Sequence, residues 1–267
     1  MSSDRPVSVA ATRILRPVNV HKSTSVRIRV FQILLCCILM AILFRKCLKS
    51  VVTSKGVLVT INVHEKPEFL REQVRNIQEH LMCRWVLILN TNESMKADLK
   101  GTELEAWCHP KPINKRRFHG SLLQGICANI KHSLDVSHDF DYVLVLSSRT
   151  FFRKHVTCYD LEVALDRSTC SVATNFNEWH WPAFKETSVG KRFFPHLVGG
   201  AHEGLFFPKA ACRSLCELEP EIFDTNACVE EFVIQTICFN NGIKFAQLSW
   251  SEASPISGDL PLHKVTR

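Results

Sequence analysis

At 267 residues, 46% hydrophobic and 22% charged, the chain has room for one good-sized domain plus an appendage, and disorder is not its default state. The net charge of +7 is unevenly spread, with Arg13, Arg16, Lys22, Arg27, Arg29, Arg45, Lys46 and Lys49 all before residue 50. The remainder is close to balanced, which argues against a nucleic-acid partner and reads the basic excess as a membrane flank.

Met1–Thr24 is polar and irregular. The run VFQILLCCILMAILF, residues 30–44, is the most hydrophobic of the chain. As a helix it spans roughly 22 Å against a hydrocarbon core of ~30 Å, a gap closed if Arg27, Arg29 and Arg45 snorkel toward headgroups. LFRKCLKS offers no small-x-small cleavage site, so the run reads as an uncleaved signal-anchor. The excess of Lys and Arg before it makes residues 1–29 a cytosolic tail and places the bulk in the lumen, beyond a short stem at 45–55. A short span also suits the thinner membranes of the early secretory pathway.

Residues 56–267 alternate strand and helix. GVLVTINV (Gly56–Val63), WVLILN (Trp85–Asn90) and YVLVL (Tyr142–Leu146) read as buried strands, with further strands expected at Cys170–Asn175 and Ile243–Leu248. Helical spacing predicts helices over Pro67–His80, Leu122–Leu134, Cys158–Leu165, Pro208–Glu217 and Cys228–Phe239. This order predicts an α/β fold, a mostly parallel sheet flanked by helices. Ligands of such sheets bind outside the carboxyl ends of the strands. The segments to watch are therefore Val63-His64-Glu65, Asn90-Thr91-Asn92 and Ser147-Ser148-Arg149. No Gly-rich phosphate loop is present.

Nine of the twelve cysteines lie in this body, and an oxidising lumen would pair several of them. An odd number leaves one free or intermolecular, which leaves a disulfide-linked dimer open. Asn92-Glu-Ser is a glycosylation sequon in a polar loop.

Five groups of residues carry candidate chemistry. Asp139-Phe-Asp141 has the spacing of a metal-holding pair, and Mn2+ would be its ion. Both carboxylates precede their strand, however, which predicts a boundary role at the amino end. Ser147-Ser148-Arg149-Thr150 follows the strand and can bond sugar hydroxyls or phosphate oxygens, or form an ordinary polar loop. Glu230 and Glu231 begin a helix made apolar by Phe232, Val233 and Ile237. They serve either as favourable charges at the helix dipole or as a general base. In HLVGGAHEG, His202 and Glu203 match no zinc spacing, and the Gly pair implies close backbone approach at a ligand loop. Trp179 and Trp181 fit sugar stacking or core packing equally well.

Taken together, several segments resemble the core-2/I-branching β-1,6-N-acetylglucosaminyltransferase and xylosyltransferase family over roughly residues 56–250. VTINVHEKPEFLREQVRNI resembles its opening strand, Val-His pair and helix, and HGSLLQGICANIKHSL its Ser-x-x-Gln helix, here Ser121 and Gln124. YVLVLSSRTFF resembles the strand and turn where the family lacks Asp-x-Asp. GGAHEGLFFPKAACRSL is similar to its Gly-Ser-aromatic strand and helix, CVEEFVIQTICFNNG to its Asp-Glu-x-Phe helix, and IKFAQLSW to the strand ending in Trp.

The resemblance implies a GT-A-like fold, a Golgi type II membrane protein, a UDP-sugar donor, a glycan acceptor, and inversion without a metal cofactor. It puts Glu230 at the catalytic position with Glu231 beside it. Val63, His64, Ser121, Gln124, Ser147, Ser148 and Arg149 become donor residues, and His202, Glu203 and Trp250 acceptor residues. Arg149 or the basic tail (His263, Lys264, Arg267) stands in for the metal at the diphosphate. Two departures stand out: Val229 replaces the family's Asp, and the chain ends 17 residues after Trp250, where the family carries its basic residues. The leading expectation is a transferase that moves GlcNAc or a related sugar. The alternatives are a membrane-tethered glycan- or protein-binding module of the same fold, and a metal-dependent transferase using Asp139 and Asp141.

Overall fold

The sheet is organised by three largely apolar runs, the first of them carrying one buried threonine, Thr60. β1 (Gly56–Asn62) buries all of its residues, as a strand covered on both faces must. In the computed structural model, which describes residues 55–116, 119–168, 182–227, 229–250 and 262–264, β1 pairs in parallel with β3 (Arg84–Asn90) and with β4 (Tyr142–Ser147). β7 (Leu205–Pro208) joins β4 antiparallel, and β8 (Ala246–Gln247) joins β7 antiparallel, giving the order β3-β1-β4-β7-β8. The expected mostly parallel sheet is thus a mixed one in which β7 alone runs against the other four.

Alternation along the strands sends side chains to two separate cores. Leu58, Val143, Val145 and Phe207 face a layer that contains α3 (Ser121–Asp135) and α7 (Val233–Asn240). Val57, Val59, Ile61, Leu144 and Phe206 face the other layer, with α1 (Pro67–His80) and α4 (Cys158–Arg167). Two layers of helix around one sheet make the protein α/β. The described residues belong to one compact unit, Ser54–Arg267.

Small elements complete it. β2 (Leu81–Met82) and β6 (Val156–Thr157) form a two-strand parallel ladder, while β5 (Thr150–Phe152), β10 (Leu262–Lys264) and β9 (Ser249–Trp250) form a third sheet in that order. Short helices are α2 (Glu93–Leu99), α5 (Ser188–Phe193) and α6 (Cys212–Cys216).

Three expected elements take another form. The helix expected over Pro208–Glu217 starts late, because Leu205-Phe-Phe is buried as β7 and Pro208 ends that strand; a 3-10 turn at Lys209–Ala211 leads into α6. The helix expected over Cys228–Phe239 is broken at Phe232, whose φ of −124° is not helical. Its ring stacks on Phe184 at 4.9 Å and also fills the space beside Gly199, where a Cβ would come within 2.3 Å of it. Glu230 consequently lies on a 3-10 turn, Val229–Glu231, ahead of α7. The strand expected over Ile243–Leu248 is only β8, with β9 following it.

The expected strand at 170–175, the Trp179 and Trp181 pair, and the anchor at 30–44 lie outside the described residues. Among the described residues, no helix is long and apolar enough to cross a membrane.

Candidate functional site

Register decides where the site forms. Asn62 pairs with both Asn90 and Ser147, so β1, β3 and β4 end side by side. The chain leaves each strand through a polar residue, and the three exits surround one cavity of about 510 Å3. Its size falls within the usual range for small-molecule sites.

The wall is held by buried hydrogen bonds. Asn62 Nδ2 donates to Leu122 O at 2.8 Å and locks the first turn of α3 against the end of β1. That approach is close enough that a Cβ on Gly125 would lie 2.2 Å from Asn62 Oδ1, so only glycine fits there. Deeper along α3, fully buried Asn129 donates to Thr60 Oγ1 at 2.8 Å and to Ile88 O at 3.1 Å. On the other face Gln73 of α1 donates to Ser147 O at 2.7 Å and Thr150 O at 2.8 Å, fixing the turn after β4.

Eight of the predicted catalytic, donor and acceptor residues meet in this cavity, as does Asn92 of the sequon. From the donor set come Val63, His64, Ser147 and Arg149, from the acceptor set His202 and Glu203, and Glu230 and Glu231 join them. Glu230 is 2% exposed, set into the wall by its 3-10 turn. The loop carrying His202 and Glu203 is tied to that turn: Gly200 N donates to Glu231 O at 2.8 Å, and Gln235 Nε2 donates to Gly200 O at 3.0 Å. The close approach expected of the Gly199-Gly200 pair is therefore made by Phe232 and Glu231.

The remaining donor and acceptor residues sit elsewhere. Ser148 is fully buried behind the wall, its Oγ 3.3 Å from both ring nitrogens of His64. Burial lowers the His64 pKa, partly offset by Glu65. Ser121 and Gln124 do not line the cavity; Ser121 Oγ accepts from Arg116 N at 2.9 Å and so fastens the loop before α3. Trp250 ends β9, and Lys264 pairs in register with Thr150, which brings the basic tail's backbone beside the Ser147–Thr150 turn. Arg267 lies outside the described residues. Asn92 caps α2, its Oδ1 accepting from Met95 N at 2.7 Å, and it lines the cavity. A glycan on Asn92 would therefore stand at the cavity wall.

One charge assignment changes, that of Arg149, and the boundary role expected of Asp139 and Asp141 is borne out. Arg149 Nε pairs with the carboxylate of buried Glu65, so its charge is already met within the protein. Asp139 pairs with Arg84, and Asp141 Oδ2 accepts from Gly56 N at 2.8 Å. Both aspartates thus stand at the amino ends of β1 and β3, across the sheet from the cavity. Among the described residues, no three His, Cys, Asp or Glu side chains gather closely enough to hold a metal ion.

The residue that sequence reasoning missed is Lys115. Its Nζ donates to Asn90 O at 2.9 Å, Asn90 Oδ1 at 2.8 Å and Ile113 O at 3.0 Å. Among the described residues it has no carboxylate partner, and burial pushes its pKa down to about 8. Arg116 follows it on the same cavity wall. The signal was the run Lys115-Arg116-Arg117 just before α3, which from sequence resembles any solvated basic loop. What distinguishes it is the turn that folds Lys115 back onto the end of β3.

A pocket with a buried carboxylate, two cationic side chains lacking a carboxylate partner among the described residues, and several amide and hydroxyl groups can hold an anion and accept a proton from a neutral ligand. No protein-family model matches the chain, and no curated protein matches it.

Proposed function

We propose that residues 56–267 form a GT-A-like glycosyltransferase domain of the core-2/I-branching type, which moves GlcNAc or a related sugar from a UDP-sugar to a glycan acceptor. The observation that carries this reading is the joint presence of buried Glu230 and the Lys115-Arg116 pair in one cavity at the carboxyl ends of β1, β3 and β4. Open α/β sheets bind nucleotides at such an edge. Residues 30–44 anchor the domain in the Golgi membrane with its body in the lumen.

An inverting transfer needs one base. The acceptor hydroxyl attacks the anomeric carbon, the bond to UDP breaks, and Glu230 takes the hydroxyl proton. Negative charge then grows on the departing diphosphate. Lys115, held in a partly buried site without a carboxylate partner among the described residues, meets that charge together with Arg116. Its three hydrogen bonds to Asn90 and Ile113 hold the ammonium beside the end of β3, where it acts on the diphosphate through its charge or by exchanging one of those bonds for a phosphate oxygen. This moves the metal-substituting role from Arg149, which Glu65 already neutralises, to the loop before α3. His64, backed by Ser148, and Ser147 supply donor hydrogen bonds, while His202 and Glu203 border the acceptor side.

The test is UDP release by the full-length, detergent-solubilised protein from a panel of UDP-sugars, with and without EDTA. Release that persists in EDTA and vanishes in Glu230→Gln is expected. Loss of release on adding EDTA would return the reaction to a metal, and undiminished release by Glu230→Gln would remove the assigned base. UDP binding without release from any donor would make the domain a binding module.

A further inference from the structure

The amino end of the sheet carries a pair of thiols that the proposed reaction does not use. β2 and β6 pair in parallel with Leu81 opposite Val156 and Met82 opposite Thr157. The next residues in that register are Cys83 and Cys158. Neighbouring strands lie roughly 4.8 Å apart and paired side chains share a face, which falls inside the ~4.4–6.8 Å Cα separation of disulfides. Both residues are half-buried and carry free thiols, near enough that each perturbs the ionisation of the other.

Each thiol is held in place by its own element. Cys158 is the first residue of α4, whose start is fixed by a capping box in which Thr157 Oγ1 accepts from Asp160 N and Asp160 Oδ2 accepts from Thr157 N. Its Sγ also approaches Lys55 O at 3.0 Å, just ahead of β1. Cys83 is the link between β2 and β3. The cysteines of α3 and α6, namely Cys127, Cys212 and Cys216, belong to the opposite helical layer, and Cys108 donates to Leu104 O instead.

We infer that Cys83 and Cys158 form an intramolecular disulfide when the chain meets a disulfide oxidant such as glutathione disulfide. The thiolate of Cys158 attacks one sulfur of the oxidant and expels a glutathione thiolate. Cys83 then loses its proton and attacks the Cys158 sulfur, releasing the second glutathione. Two thiols become one disulfide, and one glutathione disulfide becomes two glutathiones. The neighbouring Cys83 thiol draws the Cys158 thiol down, as does its place at a helix start; burial and the carboxylates of Glu162 and Asp141 oppose this, and Lys55 assists it. The product staples the end of α1, through β2, to α4 and extends a ladder that is only two residues long.

The cross-link stands whether or not the cavity turns over a sugar nucleotide. It is separated from the cavity by the length of β1, roughly 20 Å. The test is peptide mapping by mass spectrometry of the full-length protein, equilibrated with glutathione disulfide, alkylated and digested without reductant. A Cys83–Cys158 linked peptide that disappears after reduction is expected. In Cys83→Ser the remaining Cys158 should appear alkylated or glutathionylated. Reduction should lower Tm by about 5–10 °C in the parent protein, and by that much less in the Cys83→Ser/Cys158→Ser double variant. UDP binding should be the same in both. Alkylation of both cysteines in the oxidised, folded protein, or linkage of either one to Cys108, would overturn the assignment.

Discussion

The two ends of the central sheet treat charge in opposite ways. At the amino end Asp139 is paired with Arg84, Asp141 accepts the Gly56 amide, and Lys55 is shared between Glu162 and Tyr142. At the carboxyl end Lys115 is partly buried among carbonyl oxygens with no carboxylate beside it among the described residues, and Glu230 is set into the same cavity wall. Charges at strand starts stabilise chain ends and can be read as structure. A buried cation that the fold leaves without a counter-charge raises the free energy of the folded state, and an anionic ligand recovers it.

The strongest way to break this contrast is Glu230→Gln. Turnover should fall by roughly 10²–10⁴-fold, the usual worth of a general base, while UDP affinity stays within about threefold. Kinetics of UDP release and calorimetric UDP titration separate the two effects. Unchanged turnover would reduce Glu230 to another structural acid, like those at the amino end.

Next in size is Lys115→Met. A charge-assisted hydrogen bond is worth about 1.5–3 kcal/mol, so the UDP Kd should rise roughly 10- to 100-fold. Arg149→Met should cost less, because Glu65 already holds that guanidinium. The reverse ranking would restore Arg149 as the diphosphate's partner.

The pH dependence follows from the lowered Lys115 pKa. In the free protein the amine is charged below about 8 and loses its charge as pH rises through that value. UDP affinity should therefore be flat near pH 7 and weaken above 8, provided no other group intervenes, and calorimetry across pH 6.5–9.5 reads it directly. The sign for folding is opposite. Between about 8 and the ordinary lysine value of 10.5 the unfolded chain binds the proton that the folded chain has lost, so this group makes stability rise with pH there. Lys115→Met should abolish both trends.

The smallest effects belong to the amino end. Asp141→Ala removes the acceptor of Gly56 N and should cost about 1 kcal/mol in denaturant unfolding. Asp139→Asn breaks an exposed pair and should cost at most about 0.5 kcal/mol. Neither should alter UDP binding, with or without divalent cation. Loss of binding in either variant would undo the separation of the two ends.

Much of this layout was legible because it rests on local pattern. The short, β-branched and largely apolar runs at 57–61, 85–89 and 142–146 read as buried strands, and helical spacing at Phe69, Leu70, Val74 and Ile77 gives α1 its buried side. The order of these elements, with the placement of Asp139 and Asp141 before a strand, located the crevice at the opposite edge. Eight of the candidate residues meet there for that reason. The break at Phe232 was not legible, because it answers to Phe184 and Gly199, far away in sequence.

By itself, then, the sequence determined the α/β alternation, the two-sided burial of the strands, and the edge at which a ligand would sit, since each depends on periodicity within one segment. Only the tertiary structure decided which charges are spent and which remain. Arg149 and Glu65 are 84 residues apart, Cys83 and Cys158 come together through a two-residue ladder, and Lys115 meets Asn90 through a loop. Pairing over such separations is set by strand register and loop closure, which no local pattern encodes. The same register that aligns Asn62, Asn90 and Ser147 at one end of the sheet sets Lys115 beside them, with no carboxylate partner among the described residues.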